Sequence, residues 1–381
     1  MSDVKGFPEP RPRPNTAPRV YFELARKAAQ SNYRRLDFPY KLTYSLTYWC
    51  NYGCKTCDIW RRKPVDELDL GEIRKLFAKS NEFSWIDLTG GEVFLRKDFL
   101  GVVDAIHSNC RNLLLLHFPT NGYLTDKIVA ATKTITSWEP KKLIITVSMD
   151  GDEARNDEIR GIEGGWRRQL ETFRQLREID GVNVVLGFTL SKHNAGHLQE
   201  CFDAVQREIP DITWDELHVN VAHRSAHYYG NDAIDPFEGA EAAVRSDLEL
   251  FRSHRRPPLG PVSFLEHEYL RRVERYLDTG RTPVRCQALR ASCFLDPFGV
   301  VYPCGMYSRP MGSVRDVDYD LRALWEREET RRVQREIWEG DCPQCWTPCE
   351  AYQSILGSLV PRSAPPAVAE SAALPLPQPA K

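Results

Sequence analysis

From residue 41 onward, short runs of apolar and β-branched residues take turns with longer segments in which apolar residues recur every three or four positions. The short runs predict six strands, at 41–47, 83–90, 112–120, 142–150, 182–190 and 214–222. The longer segments predict helices at 70–80, 99–109, 125–135, 166–179 and 195–209. Several strands are apolar throughout, as strands covered on both faces are. The pattern therefore predicts an α/β fold with a parallel sheet and outer helices, in the form of a partial (β/α)6 TIM-like barrel.

The alternation stops after about residue 235, where a charged and mostly helical stretch leads into a segment rich in cysteine. Residues 1–19 and the stretch from Pro361 are rich in proline, which is typical of segments without fixed structure. We predict five parts: a partly disordered N-terminal extension (1–40), the barrel (41–225), a helical connector (226–285), a small C-terminal cysteine-rich module (286–352) and a largely disordered tail (353–381).

Composition and charge indicate in which cellular compartment the protein works and which partners it binds. The formal net charge of −2 argues against a nucleic-acid binder, which usually carries a basic excess. The first residues contain no apolar signal segment, and the apolar run at 113–118 is too short to span a bilayer. We therefore expect a cytoplasmic protein with no membrane span, in which clustered cysteines are metal ligands or redox groups and not disulfides.

Polar, glycine and thiol groups follow almost every predicted strand, and in parallel βα folds such strand ends meet at one edge. They are Cys50, Cys54 and Cys57 after the first strand, Gly90, Gly91 and Glu92 after the second, Asn121 after the third, Ser148 and Asp150 at the fourth, and His223 and His227 after the sixth. This layout predicts a functional cleft at the carboxyl edge of the sheet.

Three thiols lie within eight positions at the first of these strand ends. A structural zinc site requires four ligands, and the neighbouring Asp58 is a poor fourth for so soft a site. Iron–sulfur clusters are held by runs of closely spaced thiolates. A four-iron cluster held by Cys50, Cys54 and Cys57 would keep one iron without a protein ligand, free to bind a small molecule.

The spacing C-x3-C-x2-C behind a first strand resembles the radical S-adenosylmethionine (radical SAM) superfamily, over roughly Tyr40 to Val221. The resemblance implies a [4Fe-4S] cluster on Cys50, Cys54 and Cys57 whose open iron binds the amino and carboxylate groups of S-adenosylmethionine (SAM). One electron, from a reductant such as flavodoxin or ferredoxin, would cleave SAM to a 5'-deoxyadenosyl radical that abstracts hydrogen from a substrate.

Other positions agree with this resemblance, which implies SAM-binding roles for Gly90, Gly91, Glu92, Asn121, Ser148, Asp150 and Arg160. The turn Thr89-Gly90-Gly91-Glu92 would receive the SAM amino group. Ser148 and Arg160 would contact the ribose and the carboxylate, and Asn194 lies in a stretch that also fits the family pattern. Taken singly, such a turn or strand end is explained by glycine and capping chemistry. Thr56 departs from the pattern, since many members carry an aromatic residue there.

A second group of cysteines comprises Cys286, Cys293, Cys304, Cys342, Cys345 and Cys349. This segment resembles the SPASM and twitch extensions of the superfamily, which hold auxiliary [4Fe-4S] clusters. Six thiols are too few to ligate every iron of two such clusters, so we expect one auxiliary cluster. The twitch arrangement would choose Cys286, Cys304, Cys342 and Cys345, with Cys293 and Cys349 spare or as replacements. A zinc knuckle built on Cys342, Cys345 and Cys349 is the alternative.

The reaction is left open between two substrate classes. A radical oxidation or rearrangement of a small metabolite or sugar and a modification of a peptide both suit the layout. Only about 40 residues precede the barrel, too few for a separate peptide-binding domain, which favours the small molecule. In the loop after the sixth strand, His223, Arg224, His227 and Tyr228 are candidates for catalysis or substrate binding.

An alternative in a different functional class is that the protein is a non-catalytic iron–sulfur electron carrier or a zinc-binding interaction protein. Glu92, Ser148 and Arg160 argue against it, because an electron carrier has no use for residues that bind SAM.

Overall fold

The computed structural model describes residues 17–360. Its strands are β1 (Lys41–Thr47), β2 (Trp85–Gly90), β3 (Leu115–Thr120), β4 (Lys142–Ser148), β5 (Val182–Leu190), β6 (Leu217–Val221), β7 (Ser292–Leu295), β8 (Val300–Tyr302) and β9 (Gly312–Ser313). Its helices are α1 (Ala17–Tyr33), α2 (Leu70–Lys79), α3 (Phe99–Asn109), α4 (Thr125–Thr136), α5 (Glu153–Arg160), α6 (Gly165–Arg177), α7 (Leu198–Glu208), α8 (Glu241–His254), α9 (Pro261–Thr279), α10 (Leu321–Trp325), α11 (Glu328–Glu339) and α12 (Pro348–Ser358).

The strands form a single nine-stranded sheet in the order β6-β5-β4-β3-β2-β1-β7-β8-β9. β1 to β6 pair in parallel with their chain neighbours, which confirms the predicted barrel-like α/β architecture. β7 pairs in parallel with β1, and β8 and β9 continue the sheet in antiparallel pairs. The cysteine-rich module is thus joined to the barrel through a shared sheet. β1 is buried along its whole length because it lies between β2 and β7.

One helix of the barrel, α5, has no counterpart in the predicted pattern, because its sequence EARNDEIR carries too few apolar residues to show a period. Its ends are nevertheless marked. The carboxylate of Asp152 accepts a hydrogen bond from the Arg155 N–H at 3.0 Å, and Gly161 ends the helix in the left-handed conformation with φ 66°.

Two helices from beyond the barrel pack against its strands: α9 contacts β6 through Glu266 and His218, and α12 contacts β2. Tyr352 of α12 stacks on Trp85 of β2 with ring centres 6.2 Å apart and meets Tyr269 of α9 edge-on. Residues 353–358, which we assigned to a disordered tail, are the second half of α12. Their order follows from packing, since this half of the helix is almost entirely buried against the barrel. The other segments predicted to be disordered, 1–16 and 361–381, lie outside the described residues.

Within residues 17–360, no helix has both the length and the apolar character needed to cross a bilayer.

Candidate active site

A cavity of about 310 Å³ opens at the carboxyl ends of the barrel strands. Of the residues predicted for the site, the cavity is lined by Cys50, Cys54, Cys57, Gly90, Gly91, Glu92, Asn121, Ser148, Arg160, His223, Tyr228 and Cys349. The three clustered thiols and most of the predicted SAM-binding residues therefore lie around one space.

The cysteine loop is held from two sides by its backbone. On one side the N–H of Gly53 donates to the Arg160 carbonyl at 3.2 Å, and the N–H of Lys55 donates to the Ile159 carbonyl at 2.8 Å. On the other side the Asp58 N–H donates to the carbonyl of Tyr229 at 2.8 Å. The thiols are thus fixed between the end of α5 and the loop that follows β6.

The chemistry of these thiols suits a bound cationic cluster. Burial raises the pKa of Cys50 to about 11 and that of Cys57 to about 12, so thiolates there need a positive partner. No three His, Cys, Asp or Glu side chains of residues 17–360 converge closely enough to hold a single metal ion. A cluster of four irons accepts ligands that are further apart, so the donor set fits it.

The glycine turn after β2 is set by close packing against the end of β1. Gly90 has φ 129°, and a Cβ on it would lie 2.2 Å from the carbonyl oxygen of Thr47. A Cβ on Gly91 would lie 2.0 Å from the carbonyl oxygen of Trp49. Only glycine can occupy both positions, and this brings the turn directly against Cys50.

Glu92 is buried and ties the ends of β2 and β3 together. Its carboxylate accepts hydrogen bonds from the N–H of Asn121 at 2.6 Å and from the hydroxyl of Thr120 at 2.9 Å. Burial raises its pKa to about 7. A hydrogen-bond donor in the adjacent cavity would stabilise its charged form.

Arg160 and Asp150 form a buried ion pair at 2.6 Å. Burial opposes the charge of Arg160, but Asp150 and the nearby thiols raise its pKa. Arg160 lines the cavity, whereas Asp150 lies behind it and also accepts the N–H of Thr189 at 3.1 Å. Asn194 does not line the cavity: its amide donates to the carbonyls of Asp150 and Thr189 and so shapes the loop after β5.

The four predicted catalytic residues lie in the loop after β6, and only two of them line the cavity. His223 and Tyr228 line the cavity, and the Tyr228 hydroxyl lies 2.6 Å from Oγ1 of Thr89. Arg224 and His227 lie outside the cavity lining, contrary to our prediction. The imidazole of His227 stacks on Tyr302 at 4.2 Å, because this side of the loop packs on the C-terminal module and not on the barrel mouth.

Four C-terminal cysteines influence one another electrostatically. Burial, the Glu350 carboxylate and the thiols of Cys342 and Cys345 raise the pKa of Cys286. Burial, Glu350 and the thiols of Cys345 and Cys286 raise the pKa of Cys304 in the same way. Burial raises the pKa of Cys345, and the thiol of Cys349 also raises it. The twitch arrangement would choose Cys286, Cys304, Cys342 and Cys345.

Cys293 and Cys349 both contact the barrel. Cys293 is fully buried in β7 beside Leu42 of β1. Cys349, at the start of α12, lines the barrel cavity, and its carbonyl accepts a hydrogen bond from Nζ of Lys41.

Prediction from strand ends missed the polar residues inside the strands. Thr43, Asp87, His117, Thr146, Thr189, His218 and Asn220 line the same cavity. Alternation was the signal that could have found them, because β6 reads Leu-His-Val-Asn-Val with every second residue directed inward.

The sequence matches two family models. One, described as the radical SAM superfamily, covers residues 44–205, and the other, SPASM, described as an iron–sulfur cluster-binding domain, covers residues 286–346. The chain therefore carries a radical SAM domain followed by a C-terminal SPASM domain. The resemblance drawn from the cysteine motifs is thereby confirmed, and with it the requirement for SAM, a [4Fe-4S] cluster and auxiliary iron–sulfur binding.

Among curated proteins, the chain is 24% identical over 334 residues to the mycofactocin maturase MftC of Mycobacterium ulcerans, covering 81% of each protein. It is 21% identical to the antilisterial bacteriocin subtilosin biosynthesis protein AlbA of Bacillus subtilis, covering 81% of this chain and 66% of AlbA. Among solved structures, Streptococcus suis SuiB bound to its precursor peptide SuiA superposes with a TM-score of 0.53 at 16% identity, covering 87% of this chain and 73% of SuiB. The structural likeness shows a shared fold.

Proposed function

We propose that this radical SAM enzyme modifies a peptide. The observation that carries the proposal is the likeness to MftC and AlbA along some four fifths of the chain, since one is described as a maturase and the other as a bacteriocin biosynthesis protein. The sequence pattern favoured a small metabolite or sugar on the ground that few residues precede the barrel. The relatives favour the alternative reading, a peptide substrate.

The cavity residues have separable tasks in this proposal. Arg160, held by Asp150, is placed to bind the SAM carboxylate, and Glu92 is placed to bind the amino group. Ser148, at the end of β4, offers a hydroxyl for the ribose. A four-iron cluster on the three thiolates supplies, when bound, the open coordination site and the electron that SAM cleavage requires.

The rest of the cavity is available to the substrate. The inward-facing residues of β3 to β6 form its floor, and the start of α12 contributes Pro348, Cys349 and the preceding Thr347 to its wall. Water is restricted there because the floor is enclosed by strands and helices, which protects a reactive substrate from side reactions. We assign Cys286, Cys304, Cys342 and Cys345 to one auxiliary cluster because the twitch arrangement would choose them and all four lie in the segment that matches the SPASM model.

Co-expression with candidate peptides tests the proposal. Each short open reading frame encoded close to this gene is expressed together with the enzyme, and the peptide mass is measured by mass spectrometry. We expect one peptide to change mass with the wild-type enzyme and to stay unchanged with a Cys50→Ala/Cys54→Ala/Cys57→Ala variant. If the wild type cleaves SAM but leaves every candidate peptide unmodified, a small metabolite becomes the better reading.

A further inference from the structure

Three histidines line the cavity, and they differ in what their ring nitrogens contact. Both nitrogens of His117 are engaged, Nδ1 with Asp87 at 3.2 Å and Nε2 with Thr146 at 3.0 Å. Nε2 of His223 is sealed in the protein interior without a partner, and burial lowers the pKa of this residue to about 4. Neither ring offers an accessible lone pair to a substrate.

His218 differs from both. Its Nδ1 lies 3.0 Å from Oε1 of Glu266, and because a carboxylate only accepts, Nδ1 carries the proton. Within the described part of the chain, no residue bonds Nε2, and this nitrogen is not among the buried atoms cut off from solvent. The lone pair of Nε2 is therefore open on a residue that lines the cavity.

The carboxylate behind His218 is paired with a buried arginine. Oε2 of Glu266 lies 2.5 Å from Nη2 of Arg255, and both side chains are only 10% exposed. Arg255 also donates to the carbonyl of Leu217, the first residue of β6, at 3.1 Å. This arginine thus fixes the carboxylate and the strand that carries His218 in one arrangement.

Space for a substrate exists beside the imidazole. In the sheet register His218 pairs with Gly187 of β5, which has no side chain to cover the ring. A Cβ on Gly187 would lie 2.5 Å from Cγ2 of Thr146, so a larger residue there would displace the Thr146 side chain.

We propose that His218 is the proton acceptor for the substrate and that Glu266 is its positioning residue. The inference rests on the proposed function, because it needs a substrate in the barrel. An N–H or O–H bond of the substrate breaks, its electron pair stays on the substrate, and the proton is taken by Nε2. The charged imidazolium is stabilised by Glu266, and the proton then passes to water at the cavity mouth. A histidine whose second nitrogen is oriented by a carboxylate is the arrangement that general bases use.

Three variants separate this role from a structural one. His218→Gln keeps an N–H that can donate to Glu266 but removes the basic lone pair. Glu266→Gln keeps the size of the side chain but removes its charge. His197→Gln is the control, since Nδ1 of His197 lies 2.7 Å from Oε2 of Glu200 and 3.2 Å from Nη2 of Arg155, at the start of α7 and outside the cavity lining.

The first readout needs no substrate. The anaerobic holoenzyme is treated with diethyl pyrocarbonate, which reacts with unprotonated imidazole, and labelled histidines are mapped by mass spectrometry. We expect His218 to be labelled in the wild type and several-fold more slowly in Glu266→Gln, while His117 and His223 stay unlabelled. An unlabelled His218 beside a labelled His197 would overturn the proposal, whatever the fate of the peptide substrate.

The second readout uses the peptide identified by co-expression. In His218→Gln we expect the ratio of modified peptide to 5'-deoxyadenosine to fall roughly 100-fold, the loss typical of a missing general base. Added imidazole should restore part of this ratio in His218→Ala, and His197→Gln should match the wild type. A His218→Gln enzyme with a wild-type ratio would refute the assignment. If wild type modifies no peptide, the proposed function fails, and the labelling result alone decides whether His218 presents a base.

Discussion

Nζ of Lys41 lies 3.0 Å from Oδ2 of Asp87 inside the barrel, and the two side chains are 0% and 8% exposed. The same ammonium group donates to Oε1 of Gln353 at 3.1 Å, so one charge connects β1, β2 and α12. Because Lys41 and Asp87 lie in barrel strands, this contact links α12 to the floor of the active site.

Loss of this lysine should destabilise the protein strongly. Lys41→Met leaves the Asp87 carboxylate buried without its cation, at an expected cost of about 3–5 kcal/mol in the free energy of unfolding. Urea unfolding measures it. Lys55→Met, which removes an exposed pair with Glu158, is the control and should cost less than about 1 kcal/mol. Equal effects of the two substitutions would show that the buried pair has no special role.

Arg160 should determine SAM affinity. Arg160→Gln removes the charge that faces the cavity and should weaken SAM binding roughly tenfold or more, since a charge-assisted contact contributes about 1.5–3 kcal/mol. Isothermal titration under anaerobic conditions measures the affinity, with the cluster absorbance recorded to show that iron is retained. Arg167→Gln, which breaks a surface pair with Glu153, should bind SAM like the wild type. Unchanged affinity in Arg160→Gln would remove this residue from the SAM site.

Iron content should identify the auxiliary ligands. Changing Cys286, Cys304, Cys342 or Cys345 to alanine should remove about four irons per chain, because one cluster of that size loses a ligand. Cys293→Ala and Cys349→Ala should keep the wild-type content, since these thiols face the β1–β7 contact and the barrel cavity. Iron and sulfide analysis with Mössbauer spectroscopy gives the count. Loss of iron in Cys349→Ala would require a different ligand set.

The acid Asp296 should make stability depend on pH. Burial raises its pKa to about 6, so its neutral form favours folding, and this contribution is lost as the pH rises from the unfolded pKa through the folded one. Asp296→Asn retains an oxygen for the N–H groups of Phe298 and Val300. The free energy of unfolding of this variant, measured relative to that of the wild type, should be about 1 kcal/mol higher at about pH 7.5 than at about pH 5. Urea unfolding at both pH values checks this, and a difference that does not grow would contradict it.

The barrel and the cluster site could be predicted because both depend on local patterns. β1 and β5 begin and end at the predicted residues, since apolar and β-branched residues recur along both of them. The three cysteines of the first loop reach one cavity because strand ends of a parallel sheet share an edge. Contacts between segments that are far apart in the chain produce no local pattern in the sequence. The shared sheet with β7 and the pairing of His218 with Glu266 join residues tens of positions apart or more, and no local period reveals them.

The most direct test of the whole account is the anaerobic production of 5'-deoxyadenosine. The reconstituted enzyme is reduced in the presence of SAM, and the nucleoside is quantified beside the Cys50→Ala/Cys54→Ala/Cys57→Ala variant. The account predicts nucleoside formation by the wild type and none by the variant. A wild type with a fully loaded, reducible cluster that releases no 5'-deoxyadenosine, with or without candidate peptides, would contradict it.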